Sequence, residues 1–306
     1  MTPPAIFAAP LQGYTDAAWR SAHREIYAGS VARYFTPFVR VEGGVPRPRD
    51  MRDAIAGEPC TTPQIIFGTA AEMRMLVDAL CRAGHTSIDL NCGCPHPPQL
   101  RKGRGAAALL NPQLLREAAA IIDEYPAVAF SLKMRIGVDH GDEWRAATPE
   151  IARMRLSHVT VHARTAAQQY RGPVHREAFE AVAAELPVPV YFNGDVTAPQ
   201  QLPPGAAGVM TGRGLLGRPS LAAEWTEGRE WPLAQRIGQL MRLHGRVREA
   251  RAARLCGHAQ LLAAMQPFWH FCEGEIGHRN AKALRKARSL DAYDRAVADI
   301  TKNLEL

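Results

Sequence analysis

Apolar and polar residues follow two repeating patterns along the chain. Short runs rich in β-branched and aromatic residues predict strands, and longer segments with apolar residues every three to four positions predict helices. Alternation of the two is typical of a parallel sheet, because parallel strands need a crossover connection. Eight strand-like runs cover residues 5–10, 33–38, 62–68, 87–91, 128–135, 158–164, 188–194 and 208–213. Clear helical segments between them are 71–84, 111–125 and 177–186.

Eight such units predict an α/β fold, a TIM (β/α)8 barrel with its helices outside. Two connections are irregular, because segment 39–60 has a loop-like pattern and segment 195–207 contains too many prolines for a full helix. After about Trp231 the strand patterns stop and Arg-rich helical segments follow. We therefore expect a barrel domain over residues 1–228 and a small all-α domain over residues 229–306.

Composition narrows the class of protein further. The 306 residues carry a formal net charge of +7, which favours a polyanionic partner, first nucleic acid, with acidic lipid or a small anionic ligand as alternatives. No run approaches the roughly 20 apolar residues of a membrane span, and the N-terminus lacks the pattern of a secretion signal. We expect a soluble, cytoplasmic, monomeric protein with no membrane partner. Its six cysteines are too few for a disulfide scaffold.

Polar residues close most of the predicted strands, and the active site of a TIM barrel lies at the C-terminal ends of its strands. The last two ends, in the sequences NGD (193–195) and TGRG (211–214), offer glycine amides and Arg213 where barrels often bind a phosphate. Together they indicate a phosphorylated cofactor, with ligand-free glycine turns as the alternative. The residues to examine are Gln64, inside the third run, and the strand-end residues Pro10, Gln12, Gly13, Asn91, Cys94, Lys133, Arg135, His162, Arg164, Asn193, Gly194, Gly212 and Arg213.

Two strands carry charged or titratable residues. Lys133 lies inside an apolar strand, where an unpaired ammonium is costly, so it needs an anionic or hydrogen-bonding partner. A carbonyl oxygen of a cofactor or substrate fits, and solvent or Asp89 are the alternatives. His162 and Arg164 are two residues apart and share one face of an extended chain. His162 is either catalytic or structural.

The sequence DLNCGCP (89–95) places two cysteines one residue apart. A structural zinc site needs a second ligand pair, and only His96 and the distant His85 are near in sequence, so no metal is expected. Strand alternation predicts that Cys92 packs as a small buried residue while Cys94 begins a loop over the barrel. There the Cys94 thiol can donate a proton to a substrate, with an inert thiol as the alternative.

Eight motifs, taken in order, carry a resemblance to a known family. They are APLQGYTD (9–16), PQIIFG (63–68), DLNCGCP (89–95), KGRGAAALL (102–110), LKMR (132–135), VHART (161–165), FNGD (192–195) and MTGRG (210–214). Over essentially its whole length the chain resembles the tRNA-dihydrouridine synthases. TPFVRVE (36–42), DLNCGCP and HARTAAQQYRG (162–172) are most similar to the bacterial type that acts on position 16 of the D-loop.

The resemblance implies an FMN-containing barrel that uses NADPH to reduce a tRNA uridine to 5,6-dihydrouridine. Hydride would pass from flavin N5 to C6 of the uracil, and Cys94 would give a proton to C5. Asn91, Arg135 and Arg164 would face the uridine. The implied FMN-binding residues are Pro10, Leu11, Gln12, Gln64, Lys133, His162, Asn193, Gly194, Asp195, Gly212 and Arg213.

The resemblance also implies a tRNA-binding surface, and basic residues occur at helical spacing near the C-terminus. Arg279, Lys282, Arg285 and Lys286 would bind tRNA phosphates, with Arg251 and Arg254 as a second group. The sequence departs from the family pattern in Leu11, where Met is common, and in the proline-rich loop 96–105, whose conformation stays open.

Two other functions remain possible. One is an FMN barrel that reduces a free pyrimidine, and the basic helical tail argues against it. The other is an inactive RNA-binding module on an inherited barrel, and the presence of Cys94, Lys133 and His162 argues against that.

Overall fold

A computed structural model describes residues 4–54, 58–198 and 201–302. The chain divides into two compact units. One, here called the barrel unit, comprises Pro4–Pro10 and Arg33–Thr211. The other, the helical unit, comprises Leu11–Ala32 and the chain from Gly212 onward. The sequence-predicted boundary between residues 228 and 229 stays a prediction.

A parallel sheet forms the centre of the barrel unit. In the described residues its strand order is β5-β2-β1-β11-β10-β9-β8-β7-β6, and β3 and β4 form a separate antiparallel hairpin. The strands are β1 (Ala5–Ala8), β2 (Arg33–Phe35), β3 (Val41–Glu42), β4 (Val45–Pro46), β5 (Thr61–Thr62), β6 (Gln64–Ile65), β7 (Ser87–Cys92), β8 (Ala129–Gly137), β9 (Leu156–Thr165), β10 (Val190–Asn193) and β11 (Gly208–Thr211).

The two ends of this strand order meet at one residue. Strands β5 and β6 are separated only by Pro63, which has no backbone N–H to give to a sheet ladder. The Pro63 carbonyl still accepts the Asp89 N–H at 2.9 Å. The third predicted strand is therefore one run interrupted by a proline, and the sheet is a nearly closed barrel. The predicted TIM-like α/β fold is confirmed.

Helices connect most of the strands in the barrel unit. Thr69 caps the helix after β6 through its side-chain oxygen, and Asn111 caps a later one that has proline at its first position. The helices of this unit are α2 (Pro48–Ala54), α3 (Ala70–Arg82), α4 (Pro97–Leu100), α5 (Pro112–Glu124), α6 (Trp144–Ile151) and α7 (Arg176–Glu185). The first helix of the chain, α1 (Ala17–Ile26), belongs to the helical unit.

The segment 39–60 is more regular than the sequence pattern predicts. Gly43 and Gly44, with φ of 60° and 79°, turn the β3–β4 hairpin, a conformation that two consecutive glycines adopt easily. Helix α2 follows, with Pro48 as its first residue. The prediction of a loop throughout this segment is therefore wrong.

The helical unit has its own core. Trp269 Nε1 donates to Tyr293 Oη at 2.8 Å, and His244 Nε2 lies 2.8 Å from the same oxygen. Burial lowers the pKa of His244 to about 4, so its ring is neutral at pH 7. The predicted helical C-terminal region is confirmed. Its further helices are α8 (Arg213–Gly217), α9 (Leu221–Glu227), α10 (Leu233–Ala252), α11 (His258–Met265), α12 (Glu273–Lys286) and α13 (Leu290–Lys302).

Within the described ranges, no helix has both the length and the apolar character that crossing a membrane would require.

Candidate active site

The polar ends of neighbouring strands share one rim of the barrel unit, here called the barrel mouth. Asn91 and Lys133 are Cα partners on β7 and β8. Arg135, His162 and Asn193 are partners across β8, β9 and β10. Because the strands are parallel, their C-terminal ends lie on the same side. The structure thus gathers these sequence-predicted residues in one place.

Two buried amides form a hydrogen-bond chain that begins at Asp89. Gln64 Nε2 donates to Asp89 Oδ2 at 2.6 Å, and Asn91 Nδ2 donates to Gln64 Oε1 at 2.7 Å. Ser131 Oγ donates to Asp89 Oδ1 at 2.6 Å. Burial raises the pKa of Asp89 to about 6, so the carboxylate is mostly ionised at pH 7. Asp89 is thus the acceptor at one end of the chain.

At its other end this chain holds the turn that carries Cys94. Asn91 Oδ1 accepts the backbone N–H of Gly93 at 3.1 Å and that of Cys94 at 2.9 Å. The Cys94 carbonyl in turn accepts the Ala106 N–H at 3.1 Å. The backbone of Cys94 is therefore fixed from two sides.

The two cysteines of the motif lie in different environments. Cys92 is fully buried in β7, and burial raises its pKa to about 12, so it packs as an inert thiol. Cys94 is half-buried, and burial raises the pKa of its thiol despite the nearby charges of Arg135, Lys133 and Arg40. A raised pKa keeps the Cys94 thiol protonated at neutral pH.

An ion pair anchors the loop 96–105, whose conformation the sequence leaves open. Arg104 forms two hydrogen bonds with the Glu72 carboxylate, one of them from Nε at 3.0 Å, and also donates to the Val41 carbonyl at 3.1 Å. Glu72 in turn accepts the Gly68 N–H at 2.8 Å. The loop is therefore fixed to the barrel wall beside the Cys94 turn.

Asn193 is the partner that Lys133 was expected to need. Lys133 Nζ donates to Asn193 Oδ1 at 3.0 Å, and Asn193 Nδ2 donates to the Met210 carbonyl at 2.7 Å. Burial, and secondly the charge of Arg135, lower the pKa of Lys133 to about 8. The ammonium group is thus mostly protonated at pH 7, and its protein partner is a neutral amide.

Arg135 ties two loops together at the mouth. Its guanidinium donates to the carbonyls of Gly93 at 3.0 Å, Thr165 at 2.9 Å and Gln169 at 2.7 Å. It also lies 5.4 Å from the centre of the Tyr170 ring. Burial lowers its pKa to about 10, so Arg135 remains a cation. This side chain joins the Cys94 turn to the segment that follows β9.

Arg164 pairs with another sequence-predicted site residue. It forms an ion pair with Asp195 and donates to the Gly172 carbonyl at 3.1 Å from Nε and 2.8 Å from Nη2. Its Nη1 lies 3.4 Å from His162 Nε2. Arg164 and His162 are both buried, while Asp195 is exposed. The residues expected at the uridine and at the cofactor are therefore in direct contact.

Four further predicted residues belong to the helical unit. Leu11 N donates to Thr15 Oγ1 at 2.8 Å, and Gln12 is exposed. Gly212 caps helix α8, and Arg213 is the first residue of that helix. Pro10, two residues after the end of β1, ends the first segment of the barrel unit.

Basic side chains cover one face of α12. Arg279, Lys282, Arg285 and Lys286 are all exposed, and Arg285 pairs with Glu273 at 2.9 Å.

The prediction that Arg251 and Arg254 together form a second phosphate-binding group does not agree with the position of Arg251. Arg251 points into the helical unit, where it donates to Asp16 at 2.9 Å and to the Ala264 carbonyl at 2.6 Å. It is committed to these internal partners, while Arg254 is exposed.

Among the described residues, no three His, Cys, Asp or Glu side chains are grouped so that they could hold a metal ion.

A family model described as Dihydrouridine synthase matches residues 7–286. The chain belongs to the dihydrouridine synthase family. The predicted family is therefore confirmed, and with it the enzyme class, a flavin-dependent oxidoreductase that forms dihydrouridine.

Relatives support this membership over most of the chain. A tRNA-dihydrouridine(16) synthase from Cupriavidus necator is 32% identical over 269 residues, which cover 79% of this chain and 82% of that protein. A tRNA-dihydrouridine(16) synthase from Pseudomonas putida is 29% identical over 302 residues, covering 92% and 85%. The tRNA-dihydrouridine synthase B of Pseudomonas putida is 27% identical over 237 residues, covering 72% and 67%.

Among solved structures, a protein of the dihydrodipicolinate synthase family from Coccidioides immitis has a TM-score of 0.51. It is 11% identical in sequence, and the match covers 99% of this chain and 97% of that one. At this identity the likeness supports the barrel fold alone.

The sequence pattern does not predict several residues of this candidate site. Asp89 was considered only as a partner for Lys133, although a carboxylate inside an apolar strand is the same signal that singled out Lys133 itself. Ser131 and Glu72 carry no local pattern, and Arg104 belongs to the KGRGAAALL motif, which does not indicate Glu72 as its partner. Tyr170 lies 6.1 Å from the His162 ring and is marked only by being aromatic in a polar loop.

Replacement of Gly105 tests whether the 96–105 loop positions the thiol. Gly105 has φ of +65°, and an added Cβ would lie 2.7 Å from the Cys94 oxygen and 2.8 Å from the Cys94 Cβ. Gly105→Ala should therefore displace Cys94 and slow dihydrouridine formation on unmodified tRNA by about 10- to 100-fold.

Gly103→Ala is the matched control. Gly103 has φ of +66° and nothing within 4 Å of the added Cβ. In both variants, alanine in the left-handed backbone region costs about 1–2 kcal/mol of stability, which thermal unfolding measures. Equal activity of the two variants would contradict the positioning role.

Proposed function

We propose that the protein reduces a uridine in the D-loop of tRNA to 5,6-dihydrouridine, with FMN as its bound cofactor and NADPH as reductant. The observation that carries this proposal is the turn that carries Cys94, which Asn91 holds by two backbone N–H groups and which lies near the Lys133 and Arg135 side chains. Membership in the dihydrouridine synthase family and the names of the relatives support the reaction. When bound, FMN supplies the hydride that reaches C6 of the uracil.

The polar groups at the mouth fit the pyrimidine end of a flavin, which offers carbonyl oxygens and ring nitrogens. An ammonium has three N–H donors, and Lys133 gives one of them to Asn193. Gln64 gives an amide hydrogen to Asp89 and is fully buried, so its assignment to the flavin rests on the resemblance alone. We assign Gln64 and Lys133 to the flavin ring, with His162 beside it.

The remaining cofactor assignments rest on the resemblance. We assign Pro10, Leu11 and Gln12 to the flavin ring as well. For the ribityl chain and phosphate we assign Asn193, Gly194, Asp195, Gly212 and Arg213.

Cys94 would act as the general acid. A thiol whose pKa is raised by burial keeps its proton at neutral pH and can give it to C5 as hydride arrives at C6. Lys133 and Arg135 are cations at that pH and would stabilise negative charge that develops on the uracil carbonyls. The chain thus supplies both the proton and the compensating charge.

Asn91, Arg135 and Arg164 are proposed to form the uridine side of the mouth. Asn91 would do so from the base of the Cys94 turn, which its side chain already holds. Arg135 and Arg164 would shape the uridine side of the mouth by fixing the segment 165–172, because each donates hydrogen bonds to backbone carbonyls within it.

The substrate would be tRNA held by its phosphates. The exposed basic face of α12, formed by Arg279, Lys282, Arg285 and Lys286, suits a phosphate backbone. The target base must leave its stack to reach a barrel mouth, as in other enzymes that act on single bases. We further propose position 16 as the target, after the relatives named for it, and a cytoplasmic monomer as the working form.

Substitution of the two cysteines tests the proton donor. Cys94→Ala should keep bound flavin and tRNA affinity but lower dihydrouridine formation by about 10²- to 10⁴-fold, the usual contribution of a general acid. Cys92→Ala is the matched control and should keep nearly the full rate, because Cys92 is buried away from the reaction. The measurement is dihydrouridine content of unmodified tRNA by mass spectrometry. Wild-type turnover of Cys94→Ala, or a large loss in Cys92→Ala, would refute the assignment.

Mapping of the product tests the proposed position. Unmodified tRNA with uridines at several D-loop positions should gain dihydrouridine at position 16, read by nuclease digestion and mass spectrometry. A matched tRNA with cytidine at position 16 should gain none. Reduction at another position in both substrates would contradict the proposed specificity while leaving the reaction class intact.

A further inference from the structure

One row of buried polar side chains crosses three strands below the mouth. Gln64, Asp89 and Ser131 are Cα partners on β6, β7 and β8. Asn91 follows Asp89 by two residues and so shares its face of the strand. All four are at least nine-tenths buried, which makes each of their hydrogen bonds expensive to lose.

The carboxylate end of this row dictates the orientation of the first amide. An ionised carboxylate only accepts hydrogen bonds, so Asp89 must face the nitrogen of the Gln64 amide. The oxygen of that amide then faces Asn91, which must offer its own nitrogen in return.

The opposite end imposes the same direction. The backbone N–H groups of Gly93 and Cys94 only donate, so they must face the oxygen of Asn91. Reversal of both amides would set oxygen against carboxylate at one end and N–H against N–H at the other. The chain of hydrogen bonds therefore has one allowed direction.

We propose that Asp89 is a positioning residue that, through Gln64 and Asn91, sets the direction of both amides and holds the turn that carries Cys94. This role deepens the proposed function and rests on it, because its catalytic value depends on Cys94 as proton donor and on Gln64 at the flavin. Asp89 itself touches neither reacting atom in this scheme.

Two substitutions of Asp89 separate its acceptor role from its charge. Asp89→Leu removes the acceptor, frees the Gln64 amide to turn, and should slow turnover by about 10- to 100-fold. Asp89→Asn keeps an oxygen for Gln64, because the Ser131 hydroxyl can turn to accept from the new amide nitrogen. Asp89→Asn should therefore retain turnover within about threefold of wild type, since the direction of the chain is unchanged.

A double-mutant cycle tests whether Asp89 acts through Asn91. Asn91→Ala removes the far end of the chain and should also slow turnover. If the two residues act in series, the Asp89→Leu/Asn91→Ala double variant should match Asn91→Ala alone within about twofold. A merely structural role for Asp89 would instead multiply the two losses.

A second readout does not depend on turnover. The rate at which iodoacetamide alkylates Cys94, measured on the Cys94 peptide by mass spectrometry in the flavin-loaded protein without tRNA, reports the state of the turn. Asp89→Leu, Asn91→Ala and the double variant should share one increase of at least about fivefold, and Asp89→Asn should match wild type.

Thr160→Val is the control for loss of a buried hydroxyl. Thr160 lies in β9 as the Cα partner of Lys133, and its hydroxyl has no hydrogen-bond partner among the residues that the structure describes. This variant should leave both readouts at the wild-type value. If Asp89→Leu does not fold, Gln64→Leu takes its place in the alkylation measurements with Asn91→Ala. This variant removes the middle amide of the chain.

The outcomes separate the two claims. Multiplied losses in turnover, or unchanged Cys94 alkylation in Asp89→Leu, would overturn the positioning role. Wild-type turnover of Cys94→Ala would overturn the proposed function instead, and the alkylation cycle would still decide whether Asp89 holds the turn.

Discussion

Closure of the parallel sheet is the constraint on which the site depends. The ends of the strand order meet across Pro63, where β5 pairs with β2 and β6 pairs with β7. Because all strands of this sheet run in the same direction, their polar ends occupy one rim. Residues far apart in sequence, such as Asn91 and Asn193, reach the same mouth only through that closure. Pro63, which interrupts the third strand, directly precedes Gln64 in the sequence. The point where the sheet closes is thus adjacent to the buried amide chain.

Among the residues described, the two cations at the mouth, Lys133 and Arg135, form hydrogen bonds with uncharged groups only. Lys133 bonds an amide oxygen and Arg135 bonds three backbone carbonyls, so neither has a carboxylate as its hydrogen-bond partner in the described chain. Arg135 is buried and Lys133 is half-buried, and a cation withdrawn from water beside neutral partners is costly, as the lowered pKa values of both residues reflect. An anionic cofactor or a developing negative charge on a substrate would compensate it. The same arrangement that weakens the fold locally thus suits a reduction that builds negative charge.

Much of the fold and part of the site could be predicted from the sequence, for different reasons. Strand runs and helical periodicity are local patterns, and so are the polar residues Gln64, Asn91 and Lys133, which interrupt apolar runs within β6, β7 and β8. The hairpin β3–β4 was missed because its glycine pair lies among prolines and charges. The Arg104–Glu72 anchor joins residues 32 positions apart, and Arg251 turns inward to Asp16, so tertiary contacts alone decide them. Local patterns identify which residues are unusual but not which of them meet.

The most direct test of a flavin-dependent reductase acting on tRNA is an anaerobic visible spectrum of the purified protein. NADPH should bleach the oxidised-flavin band near ~450 nm, and unmodified tRNA added afterwards should restore it, because the bound cofactor passes its hydride to the polynucleotide. Absence of a flavin band even after incubation with FMN would contradict the account. Recovery with a free pyrimidine alone, and none with tRNA, would contradict it as well.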